Sequence, residues 1–430
     1  LAFITASAIT ATTQSNAIQV LVSDLKQYGL WGKMKAVYPM VADKLNTVSN
    51  SKTFSNFGSA FTASQVDPFG GTDAVLLNSY VNSQFFYTTN FGIPGTTGSQ
   101  SVYIKASGSG YQAIEFGAYV YYPASSGWNT LGRFQFNNRV ITASNGGYYE
   151  ALPNDWYRVW VNPTLSGSYT GHEFNLTTAY FGGGVVDNKF YFYGPQYELN
   201  STGRPSQYNA TTSSITVGAV TASMFTQMKY NLKNTGSFSG SYVGGWTPGY
   251  SGNTSDGVSA YMNTGLSPTV SLTNYNAHAA TYNRLNGNNS GWDLGNTNID
   301  TSYANEFLLA SYRSGQSISG LYDYLNAVGE IQVASSNGKG FFNNSITSNT
   351  NHKLYKNGLS VGVNTSTNTT TPPNCPIFIG ALNNNNYGAL GFTQNEYAFS
   401  TIGDGLTDYE AKALYWIIQK YQTTLGRQVY

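Results

Sequence analysis

The chain has 430 residues, enough for two or three domains with cores of their own, and a formal net charge of +1. Charged residues are only 10% of it and no basic run occurs, so the electrostatic attraction that nucleic-acid binding relies on is missing. Aromatic residues reach 15%, with 35 Tyr, 23 Phe and 47 Gly, which points to a folded, turn-rich β protein rather than a disordered chain.

Solubility must then come from Asn, Ser, Thr and Gln, which make a neutral surface little affected by salt. The single cysteine, Cys375, excludes an internal disulfide and reads more readily as a small apolar residue beside a strand than as a reactive thiol. No stretch approaches the 18 or so consecutive apolar residues of a membrane-spanning helix. The opening Leu-Ala-Phe-Ile-Thr-Ala-Ser-Ala lacks the positive n-region of a signal peptide. The Asn-x-Ser/Thr triplets at Asn175, Asn209 and Asn288 are expected by chance in so Asn- and Thr-rich a chain.

In chain order, Ile18, Leu21, Val22 and Leu25 form the apolar stripe of an amphipathic helix over 12–28, with Thr12 or Thr13 as N-cap and Gly29 as its stop. Leu30 to Pro39 alternates and ends on proline, as a strand or tight connection does. Residues 52–212 hold short alternating runs, among them 101–105, 113–121, 156–161 and 189–194, punctuated by turn residues at the spacing of a sandwich. Met228 to Asn234, then Gly244-Gly-Trp-Thr, then Asp256 to Leu266 resemble the opening strands of a phage concanavalin A-like sandwich, which implies a strand at Lys229 to Lys233. Asn357-Gly358 joins two short strands and suits a type I′ hairpin. Pro376 to Asn383 reads as a buried strand running into an asparagine-rich loop. Thr407 with Glu410 makes a capping box for a closing helix, whose buried face is Leu414, Ile417, Ile418, Tyr421 and Leu425, with Gly426 at its end.

The C-terminal third, from His-Lys-Leu-Tyr-Lys-Asn-Gly-Leu-Ser-Val-Gly at 352 through Ile-Gly-Asp-Gly-Leu-Thr-Asp-Tyr-Glu-Ala at 402, resembles the concanavalin A-like (laminin G-like) β-sandwich in the variant found in tailed-phage structural genes, especially those of phages of Bacteroidetes. Asn154-Asp-Trp-Tyr-Arg-Val-Trp-Val with Phe190-Tyr-Phe-Tyr-Gly-Pro-Gln-Tyr-Glu-Leu resembles the carbohydrate-binding-module-like jelly rolls of phage tail and fibre proteins, whose motif aromatics are mostly core. In the first family the "Trp-x-Lys-Met-Lys-Ala-x-Tyr-Pro" segment runs almost directly into the "Lys-Tyr-Asn-Leu-Lys" strand. The resemblance therefore implies an insertion here: residues 1–50 with 213–430 form one concanavalin A-like sandwich, and 51–212 form an inserted jelly roll. Polar linkers at 46–51 and 209–214 suit its edges, and exposed loops tolerate insertions. The fold class expected is all-β, two β-sandwich domains, with an N-terminal and a C-terminal amphipathic helix packing on the outer one.

Chemistry is sparsely signposted. No Glu-x-Asp-x-x-Glu string offers the paired carboxylates of a retaining glycosidase; Glu330 and Glu396 stand apart. His172, His278 and His352 lack metal-ligand spacing, and Asp256, Asp293, Asp300 and Asp404 share no calcium-loop motif. Gly108-Ser109-Gly110 is no nucleophile elbow, and Gly182–Gly184 reads as a turn. No catalytic residue, metal site or cofactor is expected. Sugars stack on exposed rings beside amide side chains, which singles out Trp292 in Asn-Asn-Ser-Gly-Trp-Asp and Tyr387 in Asn-Asn-Asn-Asn-Tyr-Gly as ligand-binding candidates.

The resemblance implies a non-enzymatic structural component of a phage virion, a head fibre, decoration or tail-fibre/adhesin subunit at the particle surface. Its expected partners are copies of itself, other virion proteins and host-surface glycan, with no nucleic acid and no membrane insertion. A bacterial secreted or cell-surface lectin-like adhesin is the alternative, and a glycan-degrading enzyme, which needs two convergent carboxylates, is a third.

Overall fold

The computed structural model describes residues 2–43, 55–56, 61–78, 85–88, 98–108, 111–121, 126–162, 171–177, 189–199, 205, 217–287, 290–299, 304–324, 330–367 and 370–429. The linkers expected at 46–51 and 209–214, Gly182–Gly184, Asn288 and Asp300 lie outside the described residues, as do the side chains of His172 and Asn175. The chain is mostly β and falls into two compact units, Leu1–Asp43 with Thr221–Tyr430, and Lys44–Val220.

Among the described residues the discontinuous unit has an eight-stranded and a nine-stranded sheet. The eight-stranded back sheet runs Trp246–Gly249, Gly252–Ser255, Glu396–Gly403, Ala277–Asn283, Gly340–Ser348, Asn351–Lys356 and Leu359–Asn364, with Met34–Tyr38 also paired to Glu396–Gly403. Alternation along each strand divides its residues between two cores. Ala277, Ala279, Phe342, Leu354 and Ile402 meet Leu294, Phe307, Leu309 and Leu321 of the front sheet inside the sandwich. Ala280, Tyr282, Phe341 and Tyr355 face the other way, onto the helices Thr12–Gln27 and Asp408–Thr424. Ile18, Leu21, Leu25, Leu414 and Ile418 supply the helical side of that layer. A buried Leu or Ile contributes about 1.5–3 kcal/mol and a good cap about 1, so packing, not capping, holds both helices down.

The capping box forms as expected: Thr407 Oγ1 accepts from the Glu410 N–H (3.4 Å), and Glu410 Oε2 accepts from the Thr407 N–H (2.9 Å). The Asn-Gly turn also forms, with φ of 49° at Asn357 and 75° at Gly358. The first helix is different. Its N-cap is Ala11, not Thr12 or Thr13, and no side chain of its own caps it. Asp43 does so from 32 residues away, accepting from the backbone N–H of Thr10 (2.7 Å) and Ala11 (3.1 Å). Gln227 Oε1 in turn accepts from the Asp43 N–H (2.9 Å), so the points where the chain leaves and re-enters this unit are bonded to each other.

Two further expectations are corrected. Lys229 to Lys233 is not a strand: it follows a helix, Val217–Met228, and Asn231 reaches Met34–Tyr38 through its side chain, Oδ1 accepting from Val37 N–H (2.9 Å) and Nδ2 donating to Lys35 O (3.1 Å). Pro376 to Asn383 holds two short strands, Phe378–Ile379 and Leu382–Asn384, broken at Gly380, whose φ is +89°.

Near the C-terminus Arg427 is 1% exposed. It donates to Met40 O (2.7 Å), Pro39 O (2.8 Å), Ala398 O (2.8 Å) and Gln422 Oε1 (2.6 Å), tying the tail to the first segment and to the back sheet.

His278 is buried on the helix side of the back sheet, its Nδ1–H donating to Asp404 O (2.6 Å). Burial lowers its pKa to about 4; nearby Lys33 pushes the same way, and the Asp404 carbonyl, Asp404 and Glu410 oppose. The unfolded chain takes up this proton near pH 6.5 and the folded one only near pH 4, so stability falls as pH drops through that window, by up to about 3 kcal/mol. Urea unfolding at pH 7 and pH 4.5 checks this: His278→Asn, which keeps a donor near Nδ1, should flatten the pH dependence. An unchanged slope in that variant would remove His278 as its source.

In the second unit the described strands form two six-stranded sheets. One runs Tyr148–Ala151, Tyr157–Val161, Gly98–Ala106, Lys189–Leu199, Ala74–Asn78 and Phe61–Gln65; the other runs Ser55–Asn56, Phe85–Thr88, Gly171–Thr177, Gln112–Tyr121, Ser126–Asn137 and Val140–Ser144. Val102, Ile104, Val159, Phe190 and Phe192 of the first meet Ile114, Phe134 and Phe136 of the second. The Trp-Tyr-Arg motif is largely internal. Trp156 and Arg158 are buried, and the Arg158 guanidinium lies 5.1 Å over the Tyr103 ring while donating to Ser101 Oγ (3.1 Å) and Pro205 O (3.2 Å).

Candidate functional site

The two sequence-predicted residues fall on one substructure with opposite exposures. In the front sheet Leu382–Asn384 runs parallel to Leu294–Ile299 and antiparallel to Gly388–Leu390, making a short hairpin at the sheet rim. Tyr387 stands at its tip, 72% exposed. The turn is held from within: Asn384 O accepts from the Tyr387 N–H (3.1 Å), Asn384 Oδ1 from the Asn386 N–H (3.0 Å), and Thr297 O from the Asn385 N–H (3.0 Å). Three hydrogen bonds preorganise the turn backbone that carries this exposed ring.

Trp292 lies at the hairpin's root and is 4% exposed. Leu308, Ala310, Ile318 and Leu382 surround it, Leu390 packs on the cluster, and the Arg313 guanidinium sits 4.3 Å over its ring. The Trp292 backbone N–H donates to Gly391 O (2.8 Å), and a Cβ at Gly391 would meet Trp292 Cδ1 at 2.6 Å, so only glycine lets the hairpin close on the indole. Trp292 thus offers no open face for a sugar. Its place in the fold is that of an anchor for the hairpin that displays Tyr387.

The described acidic residues singled out in the sequence are engaged in structure. Asp293 is fully buried and accepts from the Ser311 N–H, Asn395 Nδ2 (2.9 Å) and Tyr397 Oη (3.0 Å); burial raises its pKa, and those hydrogen bonds oppose the rise. Asp256 closes its own loop, taking the N–H groups of Val258, Ser259 and Ala260. Asp404 pairs with Lys35 (3.4 Å) and Glu396 with Arg284 (2.7 Å), while Glu330 accepts from Gln332 (3.0 Å). His352 Nε2 and Ser319 Oγ lie 2.8 Å apart in the interior. Burial pushes the Cys375 thiol up to about 11, which keeps it protonated and unreactive at neutral pH. Among the described residues no three His, Cys, Asp or Glu side chains gather as metal ligands would.

Other exposed rings were not singled out by sequence reasoning. On the second unit these are Phe69, edge-on to Tyr103 (5.4 Å) and Tyr193 (6.0 Å), Tyr148, stacked on Trp160 (5.8 Å), and Tyr149, edge-on to Tyr157 (6.1 Å). On the first they are Tyr28, Tyr409 and Trp416, beside the two long helices. The available signal for the last two was position: seven residues apart, they lie off the buried stripe of their helix.

No family model matches the chain, and no curated protein matches it. Among solved structures it is similar to the CBM22-1–GH10 modules of Clostridium thermocellum endo-1,4-beta-D-xylanase 10B complexed with xylohexaose, at 14% identity over 40% of this chain and 30% of that one, TM-score 0.28. It thus spans under a third of that structure. The CBM22-2 xylan-binding domain of Paenibacillus barcinonensis Xyn10C is similar at 10% identity over 36% of this chain and 99% of that one, TM-score 0.28. The enzymatically active domain of bacteriophage CBA120 tailspike protein 4 is similar at 12% identity over 37% and 22%, TM-score 0.25.

Proposed function

We propose that this chain is a non-enzymatic β-sandwich protein that binds glycan through the Tyr387 hairpin, serving as a structural or adhesive component at the surface of a tailed-phage particle and present there in several copies. The observation that carries the glycan reading is the geometry of Tyr387. A phenol ring projects into solvent from a turn of asparagines whose backbone is fixed by hydrogen bonds and a buried root. Such a ring stacks on the apolar face of a sugar, while amides beside it meet the hydroxyls. The virion setting rests on the resemblance of the C-terminal motifs to phage structural proteins.

The test is retention of defined glycans by the intact chain and by its Tyr387→Ala form. The substitution touches no core, so folding should be unchanged while affinity falls about tenfold, the equivalent of about 1.4 kcal/mol. Equal retention by both forms would sink the assignment of the site.

A further inference from the structure

The helices Thr12–Gln27 and Asp408–Thr424 pack on the back sheet, and on their outer side they leave a groove of about 510 Å³. Tyr409 and Trp416 stand along one wall, 71% and 59% exposed, seven positions apart on the helix, about 10.5 Å along its axis. Tyr28, half exposed at the end of the first helix, joins the lining. Across the groove Lys420 pairs with Asp24 (2.8 Å), while Lys412 has no ion-pair partner among the described residues, leaving a net positive charge. The apolar floor, Ala413 and Ile417, is already buried.

We propose that this groove is a second carbohydrate site, separate from the Tyr387 hairpin, that takes an acidic oligosaccharide. It rests on the glycan-binding reading of the chain but not on which residues form the first site. The rings of Tyr409 and Trp416 supply apolar faces for two sugar units, and their Oη and Nε1 supply polar tips. Lys412 supplies the cation for a sugar carboxylate. A protein helix fits this lining less well. It would bury Asp24, Lys412 and Lys420 together at a desolvation cost, and the closed floor offers it little apolar area in return. A hydrated saccharide keeps those charges in contact with hydroxyls and water.

The experiment is a calorimetric titration of hexagalacturonate, with neutral cellohexaose as control, into the intact chain and the variants Trp416→Ala, Lys412→Gln and Tyr387→Ala. Hexagalacturonate should bind the intact chain more tightly than cellohexaose. Trp416→Ala should weaken it at least tenfold and Lys412→Gln should remove the preference for the acidic chain, and both effects should persist when Tyr387 is also replaced by alanine. Both groove positions are exposed, so melting temperatures should hold. Binding lost only in Tyr387→Ala would overturn the groove site while leaving the glycan reading standing. No binding of any glycan would remove both. A fall in oligomer mass for Trp416→Ala, with saccharide binding unchanged, would make the groove a contact between copies and refute the proposal.

Discussion

Replacing Arg427 with methionine is expected to destabilise the discontinuous unit by about 3–5 kcal/mol, the largest effect of any substitution near the chain ends. The guanidinium is enclosed and serves the carbonyls of Pro39, Met40 and Ala398 together with the Gln422 amide. Methionine fills much of the volume but donates nothing, so those acceptors are left without their donor in a site closed to water. Burial lowers the Arg427 pKa, yet a guanidinium stays charged at any working pH, so the ion is held by neutral dipoles, three backbone carbonyls and the Gln422 amide. Lysine should recover only part of the loss, because one ammonium cannot span carbonyls on two segments. Urea denaturation of the two variants measures this. A loss below about 1 kcal/mol for the methionine form would mean that the tail is not tied down as described.

Trp292→Ala is expected to cost about 3–5 kcal/mol as well, through the cavity left among Leu308, Ile318 and Leu382. Its second consequence distinguishes it from Arg427. The hairpin root rests on the indole, so removing it should free the Tyr387 turn and weaken glycan retention although Trp292 touches no sugar. Trp292→Phe, which refills most of the cavity, should restore stability and retention together. Retention untouched in the alanine form would show that the hairpin orders itself without its anchor.

The parts of the fold legible in the sequence were those encoded locally. The capping box at Thr407, the Asn357-Gly358 turn and the stripe Ile18, Leu21, Val22 and Leu25 each state their conformation within a few residues. What escaped depends on distant partners. Asp43 caps a helix 32 residues upstream, a bond that no local pattern announces. The helix Val217–Met228 is rich in β-branched, Ser and Gly residues of weak helix propensity, and its sequence does not announce a helix between the polar linker and Lys229. Trp292 sits among Asn, Ser and Gly and reads as exposed; it is buried by Leu308, Ile318 and Leu382, which arrive from other strands. Tyr387, in a similar string, projects outward because its turn hydrogen-bonds within itself and to Thr297. The exposed rings of Tyr409 and Trp416 lie off the buried stripe of their helix, and the pattern that identifies the helix marks only the stripe.

The measurement that bears most directly on the account is a glycan array probed with the intact chain, followed by mass spectrometry of the retained and released sugars. Specific glycans should be held and recovered at full length. Recovery of shortened products, or no retention of any glycan, would contradict a non-enzymatic glycan-binding role.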